Sequence, residues 1–228
     1  MIDDPPLLTI LRHRPRPDAA LLATLGGVPT GHVIDALEGA GAMAAAIKPI
    51  DPARAAFVGV ALPCQTGPGD NLAVMAALAL AQPGDAIVVA ADGFVGSAII
   101  GDNVAWMARN AGVVALVTDG AARDAAGIRD IGVPLFAAAV TPNSCARSGP
   151  GRVGLPVVCG AVAVAAGDVL VGDADGVVVI PLALLAAVVA QLADVQVAER
   201  ALQARLAGGL RQMDAVAALL ASDRVRYV

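Results

Sequence analysis

Residues 86–118 read AIVVAADGFVGSAIIGDNVAWMARNAGVVALVT, and the architecture can be worked out from this stretch. The short apolar run Ala86–Ala91 predicts a buried strand, because it is rich in β-branched residues and bounded by turn residues. A glycine-rich loop follows, and the sequence then predicts a helix over about 102–110 and a second strand over 113–118. This order predicts two parallel strands joined by a right-handed helical crossover.

The phrase that opens this helix occurs twice in the chain. Gly69–Ala76 reads GDNLAVMA, and Gly101–Ala108 reads GDNVAWMA. Each copy opens a predicted helix and follows an apolar strand-like run, so the repeat marks two successive strand–helix–strand units. The repetition therefore has a structural explanation by itself, whichever copy is functional.

The rest of the chain extends this unit on both sides. Periodicity and turn residues predict strands at 56–62 and 133–138, helices at 70–81 and near 124–130, two short helices within 18–39, a hairpin of 169–171 with 177–180, a long helix over 182–206 and a last helix near 211–221. The two short helices are predicted to break at Gly26–Gly27, with Thr30 as an N-cap. We therefore predict an α/β fold in a single domain over 1–228, with a mixed, largely parallel sheet. Its core spans about 28–182, and helices over about 182–221 form a C-terminal arm.

The composition argues against two kinds of partner. Hydrophobic residues make up 57% of the 228 residues, but the longest helix-like apolar run, 182–190, is far shorter than the roughly 20 residues of a membrane span. The N-terminus has no apolar stretch with a small-residue cleavage site, so we expect a cytoplasmic protein without a membrane partner. The net charge of −5 argues against nucleic-acid binding. Arg12, Arg14 and Arg16 form a basic cluster interrupted by prolines, which we interpret as a solvated arm.

Few residues are available for the common catalytic chemistries. Lys48 is the only lysine and lies upstream of the first core strand, which disfavours a Schiff-base mechanism. His13 and His32 are the only histidines, which excludes a three-histidine zinc site. The three cysteines show no CxxC spacing and are predicted to be buried thiols: Cys64, Cys145 and Cys159.

Two polar segments are predicted to meet at the carboxyl edge of the sheet, where open α/β sheets bind ligands. One is the helix start Gly101–Val104, whose free amides attract an anion. The other follows the next strand and contains Arg123, whose planar guanidinium suits a carboxylate or an enolate oxygen. Asp102 and Asp124 offer the hard oxygen ligands that Mg²⁺ or Mn²⁺ prefers. Two alternatives stay open: Asp102 as a helix cap, and Arg123 with Asp124 as an exposed surface pair.

The first copy of the phrase is the weaker candidate for a site. Its predicted next strand is followed by Asp92–Val95, which reads DGFV and contains no Arg-Asp pair. We therefore interpret Asp70 as a helix cap and place the site at the second copy.

The run GDNVAWMARNAGVVALVTDGAARDAAGI, then PLFA, then GLPVVCGAVAVAAGDVLVGDADGVVVIP, resembles the 4-hydroxy-4-methyl-2-oxoglutarate aldolase family. That RraA-like family is similar in fold to the regulator of ribonuclease E activity A, and many members are misnamed as menaquinone methyltransferases. The match covers roughly residues 28–200. Its two motifs, GDN…DGxxRD and GDxxxxDxDGVVVxP, are specific together, although either alone would be weak. The resemblance implies a swivelling β/β/α-type sandwich that assembles as homotrimers, or as hexamers made of two trimers. It also implies a Mg²⁺ or Mn²⁺ site at the subunit interface.

The resemblance assigns roles to individual positions. The substrate's pyruvate carboxylate would rest on the amides of Gly101, Asp102, Asn103 and Val104, and Arg123 would bind substrate and steady the enolate. Asp124 would hold the metal directly and Asp102 would hold it through water. Glu199 from a neighbouring subunit would complete the metal shell through water; the alternative is a solvated helix face. Beyond what the resemblance implies, we consider Asn71 and Arg147 candidate contacts to the distal half of the substrate.

Two departures from the family pattern concern the neighbourhood of this site. Ala122 stands where members often carry a β-branched residue, and the segment Thr141–Arg152, TPNSCARSGPGR, diverges and is richer in proline and glycine. That segment is expected to border the pocket, so it bears on the distal half of the substrate more than on the reaction.

The predicted function is a divalent-metal-dependent, class II pyruvate aldolase. The resemblance implies cleavage of 4-hydroxy-4-methyl-2-oxoglutarate or 4-carboxy-4-hydroxy-2-oxoadipate in the degradation of aromatic compounds, with oxaloacetate decarboxylation as a side activity. The alternative is a non-catalytic binding protein of the ribonuclease-regulator type; such relatives typically lack the acid that Glu199 would provide. Methyl transfer is disfavoured, because no GxGxG loop follows the first strand.

Overall fold

The computed structural model describes residues 6–228. Its strands are β1 (Leu8–Ile10), β2 (Lys48–Pro49), β3 (Phe57–Thr66), β4 (Asp85–Ala90), β5 (Ala98–Ile100), β6 (Ala115–Thr118), β7 (Ala121–Ala122), β8 (Leu135–Ala137), β9 (Ala139–Val140), β10 (Gly151–Val153), β11 (Val157–Cys159), β12 (Val162–Val164), β13 (Val169–Asp173) and β14 (Gly176–Ile180). Its α-helices are α1 (Ala19–Thr24), α2 (Thr30–Ala36), α3 (Leu72–Leu80), α4 (Asp102–Asn110), α5 (Ala125–Ile131), α6 (Leu185–Ala207) and α7 (Asp214–Leu220). Short 3₁₀ turns occupy Pro52–Arg54 and Leu182–Leu184.

The main sheet is mixed, as predicted. Within residues 6–228 it contains nine strands in the order β1-β10-β3-β4-β6-β8-β2, with β13 also paired to β3 and β14 to β13. The central pairs β3–β4, β4–β6 and β6–β8 are parallel, whereas the pairs that β3 makes with β10 and β13 are antiparallel. The prediction of a largely parallel sheet is thus correct for its centre and for the edge pair β1–β10, whereas the remaining pairs are antiparallel. The α3 and α4 crossovers produce the parallel centre, because parallel neighbours need a long connection.

Strand β4 shows how the sheet separates two cores. Ile87 and Val89 pack in a cluster with buried residues of α3, α4 and α5, whereas Ala86 and Val88 pack in a cluster with the β11–β12 hairpin. Successive side chains of a strand point to opposite faces, and here both faces are covered, which explains why the run is apolar throughout. A third core lies between β13–β14 and helices α1, α2 and α6. The swivelling-sandwich class stays a prediction, as does the single domain over 1–228.

A second, small sheet was not predicted. Strands β5, β7 and β9 form parallel pairs in the order β5-β7-β9. The sequence predicted loops where β5 and β7 lie and no element at 139–140, because strands of two or three residues carry too little periodicity to be recognised. This small sheet holds the two segments that were expected to meet.

The interpretation of the arginine cluster as a solvated arm is wrong for Arg14 and Arg16, whereas Arg12 is exposed. Nη1 of Arg14 lies 2.9 Å from Oδ2 of Asp85, and Nη1 of Arg16 lies 2.6 Å from Oδ1 of the same carboxylate. The Asp85 side chain is 0% exposed, and its Oδ2 also accepts a hydrogen bond from the amide of Gln82 at 2.9 Å. A buried carboxylate needs charged partners and hydrogen bonds, so the arginines fold back onto the start of β4.

The N-cap prediction at Thr30 is also wrong, although the break before it is correct. Pro29 occupies the cap position of α2, and the missing cap is supplied from a distant part of the chain. Asp173 accepts hydrogen bonds from the Thr30 amide at 2.8 Å and from its hydroxyl at 2.9 Å. The predicted hairpin, which places Asp173 at this point, is confirmed as the antiparallel pair β13–β14.

Helix α6 extends well beyond the core. Leu185, Val188 and Leu192 of its first half are buried in the third core. Among residues 6–228, the span Leu182–Ala207 is long and apolar enough to cross a membrane by length and composition, with a mean hydropathy of 1.6 in an 18-residue window that is 17% buried. Core helices of soluble proteins meet the same criterion, so one such helix is weak evidence for a membrane span. The absence of a membrane partner and the contact of this arm with a neighbouring subunit stay predictions.

Candidate functional site

Strands β5 and β7 bring the two halves of the predicted site together. Ile100 pairs with Ala122 in parallel register, and the amide of Arg123 donates to the carbonyl of Ile100 at 2.9 Å. Because both strands end at this register, the residues that follow them, Gly101 and Arg123, leave the small sheet side by side. The predicted meeting of the segments is therefore borne out, but the strands that cause it are β5 and β7 rather than β4 and β6.

Gly101 shows how closely the two segments approach. A Cβ atom at this position would lie 3.1 Å from Oδ2 of Asp124 and 3.2 Å from Nε of Arg123. The Gly101 backbone is extended, with φ of −128°, so the glycine is favoured by the limited space and not by its conformation. The side chains of the Arg-Asp pair thus pack directly against the start of α4.

The guanidinium of Arg123 is held on two sides. Its Nε lies 3.1 Å from Oδ2 of Asp124, and its Nη1 donates to the hydroxyl of Ser144. The two charged side chains are 35% and 45% exposed, so they form a partly shielded pair rather than a fully solvated one. This geometry fixes the plane of the guanidinium and leaves it within reach of a ligand.

Both aspartates lie where the loop turns into a helix. Asp124 is the N-cap residue of α5 and has left-handed backbone angles, φ 58° and ψ 42°, a conformation that costs energy for a residue other than glycine and often marks functional sites. Asp102 lies in the first turn of α4, whose cap position belongs to Gly101, and its Oδ1 accepts from the amide of Asn103 at 2.7 Å. A Cβ at Gly127 would lie 3.0 Å from Oδ2 of Asp102, so that carboxylate packs against the first turn of α5.

These groups line a cleft of about 140 Å³. Seven predicted residues border it: Asn71, Gly101, Asp102, Asn103, Val104, Arg123 and Arg147. Larger cavities lie elsewhere, including one of about 340 Å³ beside Gln65 and Arg152, but the guanidinium groups and the helix start converge at the smaller one.

Two predicted site residues do not border the cleft. Asp124 contacts Arg123 but is not among the residues that line the cleft. Glu199 lies on α6, where its Oε1 accepts a hydrogen bond from Gln203 at 3.0 Å, and it is not part of the cleft of its own chain. Its predicted role in a neighbouring subunit's site stays a prediction.

Sequence reasoning missed Ser144 and Cys145 in the cleft wall. Ser144 holds Arg123, and Cys145 is only half-buried, so the prediction of buried thiols is correct for Cys64 and Cys159 alone. Burial raises the pKa of Cys64 to about 12 and also raises that of Cys159. The one signal in the sequence was the divergence of the segment 141–152, which pointed to the loop but not to these side chains.

Asp70 in the first copy of the phrase has a larger role than a helix cap. Its Oδ1 accepts from the amide of Leu72 at 2.8 Å, and its Oδ2 accepts from the amides of Ser148 and Gly149. Burial is the largest single influence and by itself raises the pKa of Asp70, but these amides together hold it below the ordinary value. The carboxylate therefore ties α3 to the segment 141–152.

Asp70→Asn is expected to destabilise the fold in a pH-dependent way. Because the pKa of Asp70 is lowered in the native state, the carboxylate makes its full contribution to the free energy of unfolding above about pH 5. That contribution is lost as the pH falls below about 4. We expect a cost of about 1–3 kcal/mol at pH 7 and a clearly smaller one at pH 3. Urea denaturation at both pH values measures it, with Asp130→Asn, an exposed carboxylate of α5, as the control. An equal cost at both pH values would contradict the role assigned to the charge.

The fold is that of an α/β protein, and its cleft is lined by a helix start and two guanidinium groups, a combination that suits an anionic ligand. The family model described as RraA-like, Aldolase/RraA, matches residues 30–179. A protein of Halalkalibacterium halodurans with the provisional name 4-hydroxy-4-methyl-2-oxoglutarate aldolase is 41% identical over 154 residues, which are 68% of this chain and 73% of that protein. The chain belongs to the RraA-like family.

Solved structures support the same assignment. The chain is similar to Streptomyces coelicolor RraAS2, titled an unusual member of the RNase ES inhibitor RraA protein family, with a TM-score of 0.75 and 28% identity over 83% of this chain and 100% of that one. It is also similar to the RNA-processing inhibitor RraA from Thermus thermophilis, with a TM-score of 0.62 and 29% identity over 68% of this chain and 93% of that one. The family thus contains proteins named as aldolases and proteins named as inhibitors.

Proposed function

We propose that this chain is a divalent-metal-dependent aldolase that releases pyruvate from 4-hydroxy-2-oxo acids such as 4-hydroxy-4-methyl-2-oxoglutarate or 4-carboxy-4-hydroxy-2-oxoadipate. The observation that carries the proposal is that Arg123 and the helix start Gly101–Val104 line one cleft of about 140 Å³. The aldolase name of the relative from H. halodurans supports it. Decarboxylation of oxaloacetate yields the same pyruvate enolate, so it is the expected side activity.

The reaction makes one demand that these residues can meet. In a retro-aldol cleavage the C4 hydroxyl loses its proton, the C3–C4 bond breaks, and its electron pair moves towards the C2 carbonyl to give the enolate of pyruvate. Amides at the start of α4 would bind the C1 carboxylate, since a helix N-terminus favours an anion. Arg123, fixed by Asp124 and Ser144, would balance the charge that develops on the enolate oxygen.

The donor atoms in this region fit a hard divalent cation. Within residues 6–228 no group of three histidine, cysteine, aspartate or glutamate side chains forms a complete metal site. Mg²⁺ typically keeps several waters and binds one or two carboxylates, which is what Asp124 and Asp102 offer. When bound, such a cation supplies a Lewis acid for the C2 carbonyl and lowers the pKa of bound water. We also propose a homotrimer or hexamer in which a neighbour's Glu199 completes the set.

Metal removal tests this proposal. We expect EDTA to abolish pyruvate release and Mg²⁺ or Mn²⁺ to restore it, while Asp124→Asn lowers kcat at saturating metal by about 100-fold or more. A coupled assay with lactate dehydrogenase measures pyruvate directly. If the wild-type chain releases none from any of these acids with either metal, a binding role like that named for the two RraA proteins is favoured instead.

Mixing two inactive variants tests the shared site. Asp124→Asn and Glu199→Gln subunits, denatured and refolded together, should regenerate sites in which each partner supplies the residue that the other lacks. Random pairing in a cyclic oligomer restores about one quarter of the sites. Activity that stays at the level of the separate variants would remove Glu199 from the proposal.

A further inference from the structure

All three residues of the first GDN phrase bind one segment, 146–149. The carbonyl of Gly69 accepts from the amide of Ala146 at 2.7 Å, and the amide of Asn71 donates to the Ala146 carbonyl at 3.0 Å. The Asp70 carboxylate accepts from the amides of Ser148 and Gly149, the latter at 3.0 Å. These bonds hold the main chain on both sides of position 147.

The side chain of Asn71 then sets the direction of Arg147. Asn71 is 3% exposed, its Oδ1 accepts from Nε of Arg147 at 3.2 Å, and its Nδ2 donates to the carbonyl of Ile99 at 3.4 Å. Because Ile99 belongs to β5, the amide is anchored to the small sheet that also carries Gly101. With Nε engaged by Asn71, the outer nitrogens of Arg147 remain for a ligand, in the fork geometry that suits a carboxylate.

Arg147 and Arg123 line the same cleft. One carboxylate and its adjacent carbonyl use the start of α4 and Arg123 under the proposed function. The second guanidinium, which the segment 141–152 contributes to the lining of a cavity of only about 140 Å³, has no partner in that scheme. A second carboxylate, at the far end of the same substrate molecule, would match the Arg147 guanidinium in charge and shape.

We infer that Arg147 is the specificity-determining residue that binds the distal carboxylate of a dicarboxylic oxo-acid, and that the first GDN phrase positions it. This inference rests on the proposed function for the location of the proximal carboxylate. It also explains the doubled phrase: the second copy binds the keto-acid end of the ligand, and the first copy places the guanidinium that binds the other end. Asp70 and Asn71 act through Arg147 and are positioning residues.

Calorimetric binding of two keto acids tests the inference without requiring turnover. In the presence of Mg²⁺, 2-oxoglutarate carries both carboxylates, whereas 2-oxobutanoate lacks the distal one, and neither has a 4-hydroxyl to cleave. Arg147→Gln is expected to weaken the binding of 2-oxoglutarate about 10- to 100-fold, the usual effect of losing a charged hydrogen bond. The affinity for 2-oxobutanoate should change less than about threefold. Arg147→Lys, which keeps the charge, should recover part of the loss.

Two further variants separate positioning from general damage. Arg152 lies on the next strand, β10, and its Nη1 donates to Oε1 of Gln65 at 3.3 Å, outside the cleft. Arg152→Gln removes this guanidinium and should leave the affinities for both acids unchanged. Asp70→Asn should weaken 2-oxoglutarate selectively, although Arg147 is still present. In a turnover assay Arg147→Gln and Asp70→Asn should raise KM for dicarboxylic substrates and leave kcat nearly constant, whereas Arg152→Gln should change neither.

The outcomes are decisive in each case. Equal weakening of both acids by Arg147→Gln, no change in either, or failure of the wild-type chain to bind 2-oxoglutarate would each overturn the inference. Selective loss of 2-oxoglutarate affinity in a protein that releases no pyruvate would support the inference while the aldolase proposal fails. Loss of activity in Arg123→Ala without any selectivity change in Arg147→Gln would support the aldolase proposal and overturn the inference about Arg147.

Discussion

Replacing Arg123 with alanine is expected to lower kcat/KM for pyruvate release by about 100- to 1,000-fold, the effect of removing a donor aimed at a developing oxyanion. The loss should fall mainly on kcat, because the guanidinium is held by Asp124 and Ser144 where charge appears on the enolate. Arg123→Lys keeps the charge but loses the planar fork, so we expect an intermediate rate. Steady-state kinetics with and without added Mg²⁺ provide the measurement.

Arg109→Ala is the matched control for this substitution. Arg109 lies on α4, the same helix that opens the site, but at its far end, where its guanidinium sits 5.3 Å from the ring centre of Trp106. It is expected to leave kcat/KM within about twofold, as a surface change away from the chemistry should. Full activity in Arg123→Ala would move the reaction away from this cleft.

Asp85→Ala is expected to destabilise the fold by about 3–5 kcal/mol, the cost of removing one partner from a buried ion pair. Two arginines would lose their shared carboxylate, and Arg14, whose side chain is 10% exposed, would remain beside the core with its charge unpaired. The amide of Gln82 would lose its acceptor as well. Because Arg14 and Arg16 attach the N-terminal segment to β4, that segment should also become more accessible to proteases.

Urea denaturation at pH 7 measures this effect through the midpoint and slope of the transition. Asp214→Ala is the control, because its pair with Arg205 has the same separation of 2.9 Å but Asp214 is 83% exposed. Exposed pairs contribute less than about 1 kcal/mol. A similar small change for both variants would mean that the carboxylate of Asp85 does not hold the segment.

The parts of the fold that the sequence predicted are those set by local chemistry. Helix α4 begins at Asp102 and ends at Asn110 as predicted, and the β13–β14 hairpin follows from turn residues between two β-branched runs. The meeting of Gly101 with Arg123 was predictable as well, because neighbouring parallel strands end at one edge. The β5–β7 pair that brings these residues together was not predictable, because its strands are too short to show a periodic pattern.

The features that the sequence did not predict depend on partners far away in the chain. Asp85 is 69 and 71 residues from Arg16 and Arg14, and Asp70 is 78 residues from Ser148. No periodicity within a window of 10–20 residues contains such pairings. A charged residue between prolines looks solvated until the buried carboxylate that it serves is known, which is why Arg14 and Arg16 were misinterpreted.

The attachment of segment 146–149 through main-chain groups has an evolutionary consequence. The bonds from Gly69 and Asn71 to Ala146 involve amides and carbonyls that nearly every amino acid possesses, and Asp70 grips backbone amides rather than side chains. Mutation can therefore exchange what this loop presents to the cavity without detaching the loop itself. The side chains that this loop presents can change to fit other metabolites, while α4 and the Arg-Asp pair continue to provide the same chemical groups on their side of the cavity.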